Sequence, residues 1–179
     1  MALRDSPEEK SREVLADSVE EADRVLTILN TLLDVTEAES GLMRLKREPT
    51  DLCRLINEVA ELYEYVAEEK NIEIVKDCPP SLVVSADANR LGQVFANLLD
   101  NALKYTPENG KVTIRGSSNG SARIQFQDTG IGIAPEEQPR IWERLYRTDK
   151  SRSQRGLGLG LSLVKAIVEA HGGKVSVQS

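Results

Sequence analysis

From Leu15 to Thr36 an apolar or small residue returns at every third or fourth position. The series is Leu15, Ser18, Ala22, Val25, Leu29, Leu32 and Thr36, and Val19, Leu26 and Leu33 widen the stripe. That spacing is the period of an α-helix and excludes a strand, whose side chains alternate every second residue. Ser6-Pro7-Glu8-Glu9 marks the start: serine as cap, proline at the first helical position, a glutamate three residues after the serine. Ser40-Gly41 marks the end. A helix this long cannot bury such a stripe against itself. It demands a partner: a second chain, another helix of the same protein, or the domain that follows. A bundle or coiled-coil role accounts for the stripe better than simple packing on that domain.

The charge divides the chain at the same place. Residues 1–40 carry Arg4, Lys10, Arg12 and Arg24 against eleven acidic residues, a net of −7, so the rest holds +1 of the overall −6. The shift marks a boundary near Gly41. An acidic chain argues against a general nucleic-acid-binding surface. With 40% hydrophobic residues, dominant disorder is excluded. No apolar run approaches the roughly 18 residues of a membrane helix, and no apolar segment follows Met1, so a soluble chain is expected. Cys53 and Cys78 fit no metal spacing and read as free thiols in a reducing, cytoplasmic setting.

Beyond Gly41 helices and strands mix without regular βαβ alternation. Residues 51–70 are helical by period, with Leu52, Leu55, Val59, Leu62 and Val66 on one face. Short strands are expected at Ile72–Ile74 and 82–84, on either side of Pro79-Pro80. Asp87 caps a second helix running to about Tyr105, with Leu91, Phe95, Leu98 and Ala102 on one face. Residues 111–116 and 122–126 alternate as a hairpin about Asn119-Gly120. A short helical stretch is expected near 136–146, an apolar helix at 161–170 and a last strand at 174–178. The fold class is α+β, with helices on one face of a mixed sheet, preceded by one long amphipathic helix.

Four clusters carry chemistry. On the helix after Asp87, Arg90, Asn97, Asn101 and Lys104 gather within an arc of roughly 60°. A carboxamide oxygen suits Mg²⁺ and a lysine one turn on suits phosphate, although a solvated polar face has the same pattern. Asp128-Thr129-Gly130-Ile131-Gly132 follows a strand. Its carboxylate can accept from an exocyclic amine while the glycines admit a flat base, or it is simply a tight turn. Gly156-Leu157-Gly158-Leu159-Gly160-Leu161 opens an apolar helix and offers backbone N–H groups to an anion, with a purely structural repeat as the alternative. It is neither a dinucleotide fingerprint nor a P-loop. Between these motifs, residues 140–155 carry Arg140, Arg144, Arg147, Lys150, Arg152 and Arg155 against Glu143 and Asp149, a net of +4. That is a phosphate-seeking lid or a solvated basic loop.

The order of the clusters resembles the GHKL (Bergerat-type) ATP-binding superfamily, and within it the sensor histidine kinases. Residues 93–106 (QVFANLLDNALKYT) resemble the N box, 128–133 (DTGIGI) the G1 box, 156–161 (GLGLGL) the G2 box, and 170–173 (AHGG) a further family element. The resemblance implies an ATP and Mg²⁺ site. In it Asn101 ligates the metal, Lys104 contacts phosphate, Tyr105 lies near the nucleotide and Asp128 reads the adenine amine. Gly130 and Gly132 admit the base. Gly156, Leu157, Gly158, Leu159 and Gly160 form the phosphate-facing hinge, and Arg147, Lys150, Arg152 or Arg155 meets the γ-phosphate. Asn97 stands where hydrolysing relatives place a glutamate; an amide cannot act as general base, which points to transfer rather than hydrolysis. The catalytic set so implied is Asn97, Lys104, Arg147 and Lys150.

Two departures stand out. Residues 141–147 read IWERLYR, with Trp142 and Leu145 where the family usually has phenylalanines. Residues 1–41 resemble only the second helix of the dimerisation and phosphotransfer hairpin, and 42–179 the catalytic ATP-binding domain with its last strand cut short. The phosphoacceptor helix is not among these residues. The single histidine, His171, belongs to the AHGG element and reads as part of a helix end. The expectation is the catalytic part of a sensor histidine kinase, cytoplasmic or the cytoplasmic part of a membrane-anchored sensor. Its implied partners are the missing helix, a response-regulator receiver domain and, in the intact kinase, a second copy of itself. The alternatives are a GHKL ATPase or serine kinase, and a degenerate kinase serving as a nucleotide-sensing or dimerisation module.

Overall fold

The computed structural model of the chain describes residues 7–147 and 157–179. Ser6, the expected helix cap, lies outside them, as do Lys150, Arg152, Arg155 and Gly156 of the expected site. The element order is α1 (Pro7–Glu39), β1 (Glu48–Asp51), α2 (Leu52–Glu69), β2 (Glu73–Asp77), β3 (Val83–Ala86), α3 (Ala88–Tyr105), β4 (Lys111–Ser118), β5 (Ala122–Asp128) and α4 (Gly160–Ala170).

The strands form two sheets, one of them mixed. β2 runs parallel to β4, β4 pairs antiparallel with β5, and β1 pairs antiparallel with β3. Charges fit the register of the parallel pair. Lys111 lies opposite Glu73 and bonds it at 2.9 Å, and Arg115 lies opposite Asp77 at 3.6 Å. Helices α2, α3 and α4 share one core with these strands through Ile56, Leu99, Leu103, Ile114, Val164 and Ile167. Phe95 of α3 meets Phe126 of β5 with ring centroids 5.9 Å apart.

Both middle helices start on aspartate. Asp51 accepts from the amides of Cys53 and Arg54, and Asp87 from that of Arg90, which satisfies donors left open at each helix start. The buried face of α2 is rotated from the expected one: Leu52, Cys53, Ile56, Val59, Ala60 and Ala67 go inward. Leu62 stays 77% exposed and Val66 is exposed too. On α3, Leu99 is fully buried while Leu98 is only partly so, because the helix lies between its neighbours and the sheet and buries two stripes.

Two further expectations are corrected. Residues 136–146 form a succession of turns rather than a helix, with bonds such as Glu137 N to Ala134 O and Glu143 N to Arg140 O. Pro135 and Pro139 remove two of the amides a continuous helix would use. Residues 174–178 are not a strand; they run without a ladder, and Ser179 Oγ accepts from Ile133 N at 2.7 Å. β1 had no counterpart in the sequence reading, since its Glu-Pro-Thr-Asp does not alternate apolar and polar residues.

Among the described residues of α1, burial is confined to the last turns. Val35 is fully buried, and Ala38 packs beside it against the core. Asp34 bonds Arg90 of α3 at 2.6 Å. Leu15, Val19, Val25, Leu26, Leu29 and Leu33 remain exposed, so the domain does not cover the stripe. Among the described residues, no helix is long and apolar enough to cross a membrane.

Candidate functional site

The base end of the site forms where α3 stops. Lys70 Nζ donates to the Leu103 and Lys104 carbonyls at 2.7 and 3.3 Å, placing a cation on the negative end of α3. Tyr105 O accepts from Ile131 N at 3.3 Å, which ties the end of α3 to the loop after β5. Thr129 clamps the same loop to β4: its amide donates to Lys111 O at 3.0 Å and its hydroxyl accepts from Lys111 N at 2.9 Å. Asp128 Oδ1 accepts from Gly130 N at 2.8 Å, and the aspartate is exposed. A Cβ on Gly130 would sit 2.6 Å from Asp128 Oδ1 and 2.7 Å from Tyr105 O, so only glycine fits. Gly132 follows with φ +70°. Thr106, at the helix cap, buries a hydroxyl that has no partner among the described residues.

The phosphate end forms where α3 meets the start of α4. Asn97 Nδ2 donates to Gln93 O at 2.8 Å, which fixes its amide and turns Oδ1 toward α4. A Cβ on Gly160 would lie 2.7 Å from Asn97 Oδ1 and 3.9 Å from Asn101 Nδ2. The absent side chain therefore lets the first turn of α4 close on both asparagines. Leu159, the cap of α4, has no side-chain cap bond. Lys104 lies one turn beyond Asn101, its Nζ 5.3 Å from the Tyr105 ring centre.

Lid residues 144–147 pack against Gly158, just before α4, and against the end of α1. Leu145 N donates to Gly158 O at 3.0 Å. Gly158 has φ +72°, and a Cβ there would strike Tyr146 O and come within 3.0 Å of Arg147 Cγ. Arg144 forks onto Glu39 and reaches Thr36 Oγ1 at 3.5 Å, joining the lid to α1. Leu157 and Leu159 flank Gly158, the first exposed and the second buried.

The structure thus brings Asn97, Asn101, Leu159 and Gly160 together at one end, and Tyr105, Asp128, Gly130 and Gly132 at the other. Lys104 lies on the helix between them, and Gly158 and Arg147 meet in the lid. His171 is held apart from both ends. Its Nε2 accepts from Asp87 N at 3.0 Å and its Nδ1 lies 2.8 Å from Ile167 O, so both ring nitrogens serve the end of α4. Thr129 and Thr106 were not singled out from the sequence. The first is the variable position of the Asp-x-Gly motif, and a hydroxyl there was the available signal.

The fit to a nucleotide can be tested on the donors present. An exposed carboxylate beside a glycine, a buried orphan hydroxyl and an uncapped helix start suit a base at one end and phosphate at the other. Among the described residues no three His, Cys, Asp or Glu side chains cluster, while the carboxamide oxygen of Asn101 is of the hard, neutral type that suits Mg²⁺.

Fold and site together define an ATP-binding α/β sandwich of the kind that pairs an asparagine helix with two glycine motifs. Residues 86–179 match the family described as histidine kinase-, DNA gyrase B- and HSP90-like ATPase, and the chain belongs to that family. Within it, the chain carries a catalytic domain of the sensor histidine kinase class. It is 35% identical over 170 residues to "Probable sensor protein PcoS" of Escherichia coli, covering 93% of this chain and 36% of that protein. It is 32% identical to the adaptive-response sensory kinase SasA of Crocosphaera subtropica, covering all of this chain and 49% of that protein. The chain thus spans less than half the length of either relative. Full-length ShkA in complex with AMPPNP superposes with a TM-score of 0.80 at 32% identity, over 99% of this chain and 37% of that one. The catalytic domain of histidine kinase ThkA gives 0.63 at 30% identity, over 72% and 83%.

Proposed function

We propose that this domain holds Mg-ATP and passes its γ-phosphoryl group to a histidine on a helix outside the 179 residues. The observation that carries this reading is the closure of Gly160 onto Asn97 and Asn101, opposite the Asp128–Gly130 turn. Asp128 accepts from the adenine amine through the carboxylate oxygen that Gly130 leaves open. Gly130 and Gly132 let the base lie against the backbone, and Tyr105 borders it. Asn101 would hold Mg²⁺, which would supply positive charge to the phosphates. Lys104 and Arg147 supply positive charge to the phosphates, joined by Lys150 and Arg155 of the lid. The amides of Gly156, Leu157, Gly158, Leu159 and Gly160 complete the cradle. Asn97 orients phosphate without activating water. The entering imidazole displaces ADP, and catalysis is positioning with electrostatic stabilisation.

In the intact protein, residues 1–41 act as the second helix of a dimerisation hairpin and 42–179 as the catalytic domain. The exposed stripe on α1 is the surface such a bundle would cover. The phosphoryl group then passes to a receiver domain; one solved neighbour, at 28% identity and a TM-score of 0.69, is ThkA in complex with the response regulator TrrA. A cytoplasmic location follows from this role.

The test is phosphoryl transfer from radiolabelled ATP to an added acceptor hairpin. Asn101→Ala is expected to abolish transfer while the domain stays folded. Undiminished transfer would refute the metal role. Steady ATP hydrolysis without any acceptor would instead favour a GHKL ATPase.

A further inference from the structure

Cys53 and Cys78 are 25 positions apart in the chain and adjacent in space. Cys53 lies in the first turn of α2 and is buried; Cys78 follows β2 and is half-buried. Both sulfurs face the same point beside Gly116 of β4, 3.0 and 3.5 Å from where its Cβ would stand. Burial first, and then the neighbouring Cys78 thiol, push the Cys53 thiol up to about 11, so it is protonated at neutral pH. Cys78 is the more exposed of the two residues.

A second observation comes from the neighbouring strand. Gly116 sits inside β4, where glycine ordinarily weakens a strand. A Cβ there would lie 3.0 Å from Cys78 Sγ and 3.5 Å from Cys53 Sγ. The strand has given up a side chain at the place where the two sulfurs meet. The same junction is tied by Asp51, which accepts from Ser81 Oγ at 2.9 Å, from Leu82 N at 3.2 Å and from Cys53 N at 3.0 Å. These bonds hold the start of α2 against the segment that follows Cys78, on the side where both sulfurs face Gly116.

We propose that Cys53 and Cys78 form an oxidation site, a vicinal thiol pair that a hydroperoxide converts to a disulfide in the folded domain. The Cys78 thiolate attacks the peroxide O–O bond and becomes a sulfenic acid, releasing hydroxide from hydrogen peroxide. Cys53 then loses its proton, attacks the Cys78 sulfur and releases water. Two thiols are oxidised, one peroxide is reduced, and two waters result overall. The bridge covalently ties α2 to the segment between β2 and β3.

The experiment treats the full chain with hydrogen peroxide and follows intact mass, free thiols, thermal midpoint and ATP affinity. The expected product is a monomer lighter by two hydrogens, with no free thiol and a Cys53–Cys78 peptide cross-link that dithiothreitol reverses. Its midpoint should rise on the order of 5 °C, with ATP affinity unchanged. Cys78→Ser should abolish the rise and the cross-link. Cys53→Ser should leave Cys78 as a sulfenic acid trapped by dimedone. Over-oxidation of Cys78 beside an intact Cys53 thiol, a cross-linked dimer, or two unreacted thiols would each overturn the proposal. If Cys53→Ser does not fold, the native chain and Cys78→Ser still decide it.

Discussion

At the base end of the site, most bonds run between backbone groups or short side chains of neighbouring segments: Ile131 to Tyr105, Thr129 to Lys111, Gly130 to Asp128. At the phosphate end the contacts join segments far apart in sequence. Asn97 of α3 meets Gly160 of α4, and Arg144 of the lid reaches Glu39 of α1. The first arrangement is a knot built on the β4–β5 ladder. The second is an assembly of separate pieces whose fit depends on small residues and charged side chains. A base needs a fixed edge to be read, whereas phosphoryl transfer needs a lid and a helix that can be brought to the phosphates.

The sharpest way to break this contrast is to put a methyl group into the knot. Gly130→Ala should weaken ATP binding on the order of 100-fold, because the Tyr105 carbonyl it would strike is backbone and cannot swing away. Calorimetry on the folded variant reads the loss, and a change of only a few fold would mean that the turn is softer than its bonds suggest. Asp128→Asn leaves the turn in place and removes one charge. It should cost about 1.5–3 kcal/mol of adenine-nucleotide affinity, the range for a hydrogen bond to a charged group. Equal binding of wild type and variant would move the base elsewhere.

The same contrast explains what could be seen in the sequence. While α2 was legible by its period alone, its cap Asp51 emerging only in the structure, Asp87 announced α3 because a capping carboxylate acts within three residues. The Asp128–Gly132 turn was visible for the same reason: its chemistry is local. The buried face of α2 was not, because Leu62 and Val66 fit a helical period as well as Ile56 and Ala60 do, and only the neighbouring elements decide between the two faces. β1 is a strand because β3 pairs with it, in register from Glu48 opposite Ala86 to Asp51 opposite Val83. Residues 174–178 have the alternation of a strand but no partner ladder. At the phosphate end, the asparagines and glycines were recognised as motifs, while the ties from α1 through Asp34 and Glu39 carry no local signature.

Those ties offer a smaller test. Asp34 and Arg90 are mostly buried, with side-chain exposures of 18% and 25%, and they hold the end of α1 against α3. Asp34→Ala should lower stability by about 1 kcal/mol, or roughly 2–4 °C in the thermal midpoint for a chain of this size. ATP affinity should be unchanged, since the base end does not use α1. A variant that binds ATP much more weakly would show that α1 supports the nucleotide site as well as the lid.

The smallest effect concerns acid. Burial would raise the Asp87 carboxyl, but the amides of Lys46 and Arg90, the Arg90 charge and the Asn89 amide outweigh it and hold it below its ordinary value. Asp51 is held down chiefly by the Leu82 amide, then by Ser81. A carboxyl depressed in the folded state binds fewer protons than in the unfolded chain, so its contribution is complete above the unfolded value of about 3.9. It is lost as pH falls through the lower folded value. Stability owed to these two groups should therefore be flat from neutral pH to about pH 5 and decline below about pH 4. Asp87→Asn should start less stable at neutral pH and show a shallower acid limb in urea titrations. Asp87 joins the linker, α3 and His171 of α4, and lies at neither end of the nucleotide site. An unchanged acid limb in the variant would mean that the protons are taken up at other carboxylates.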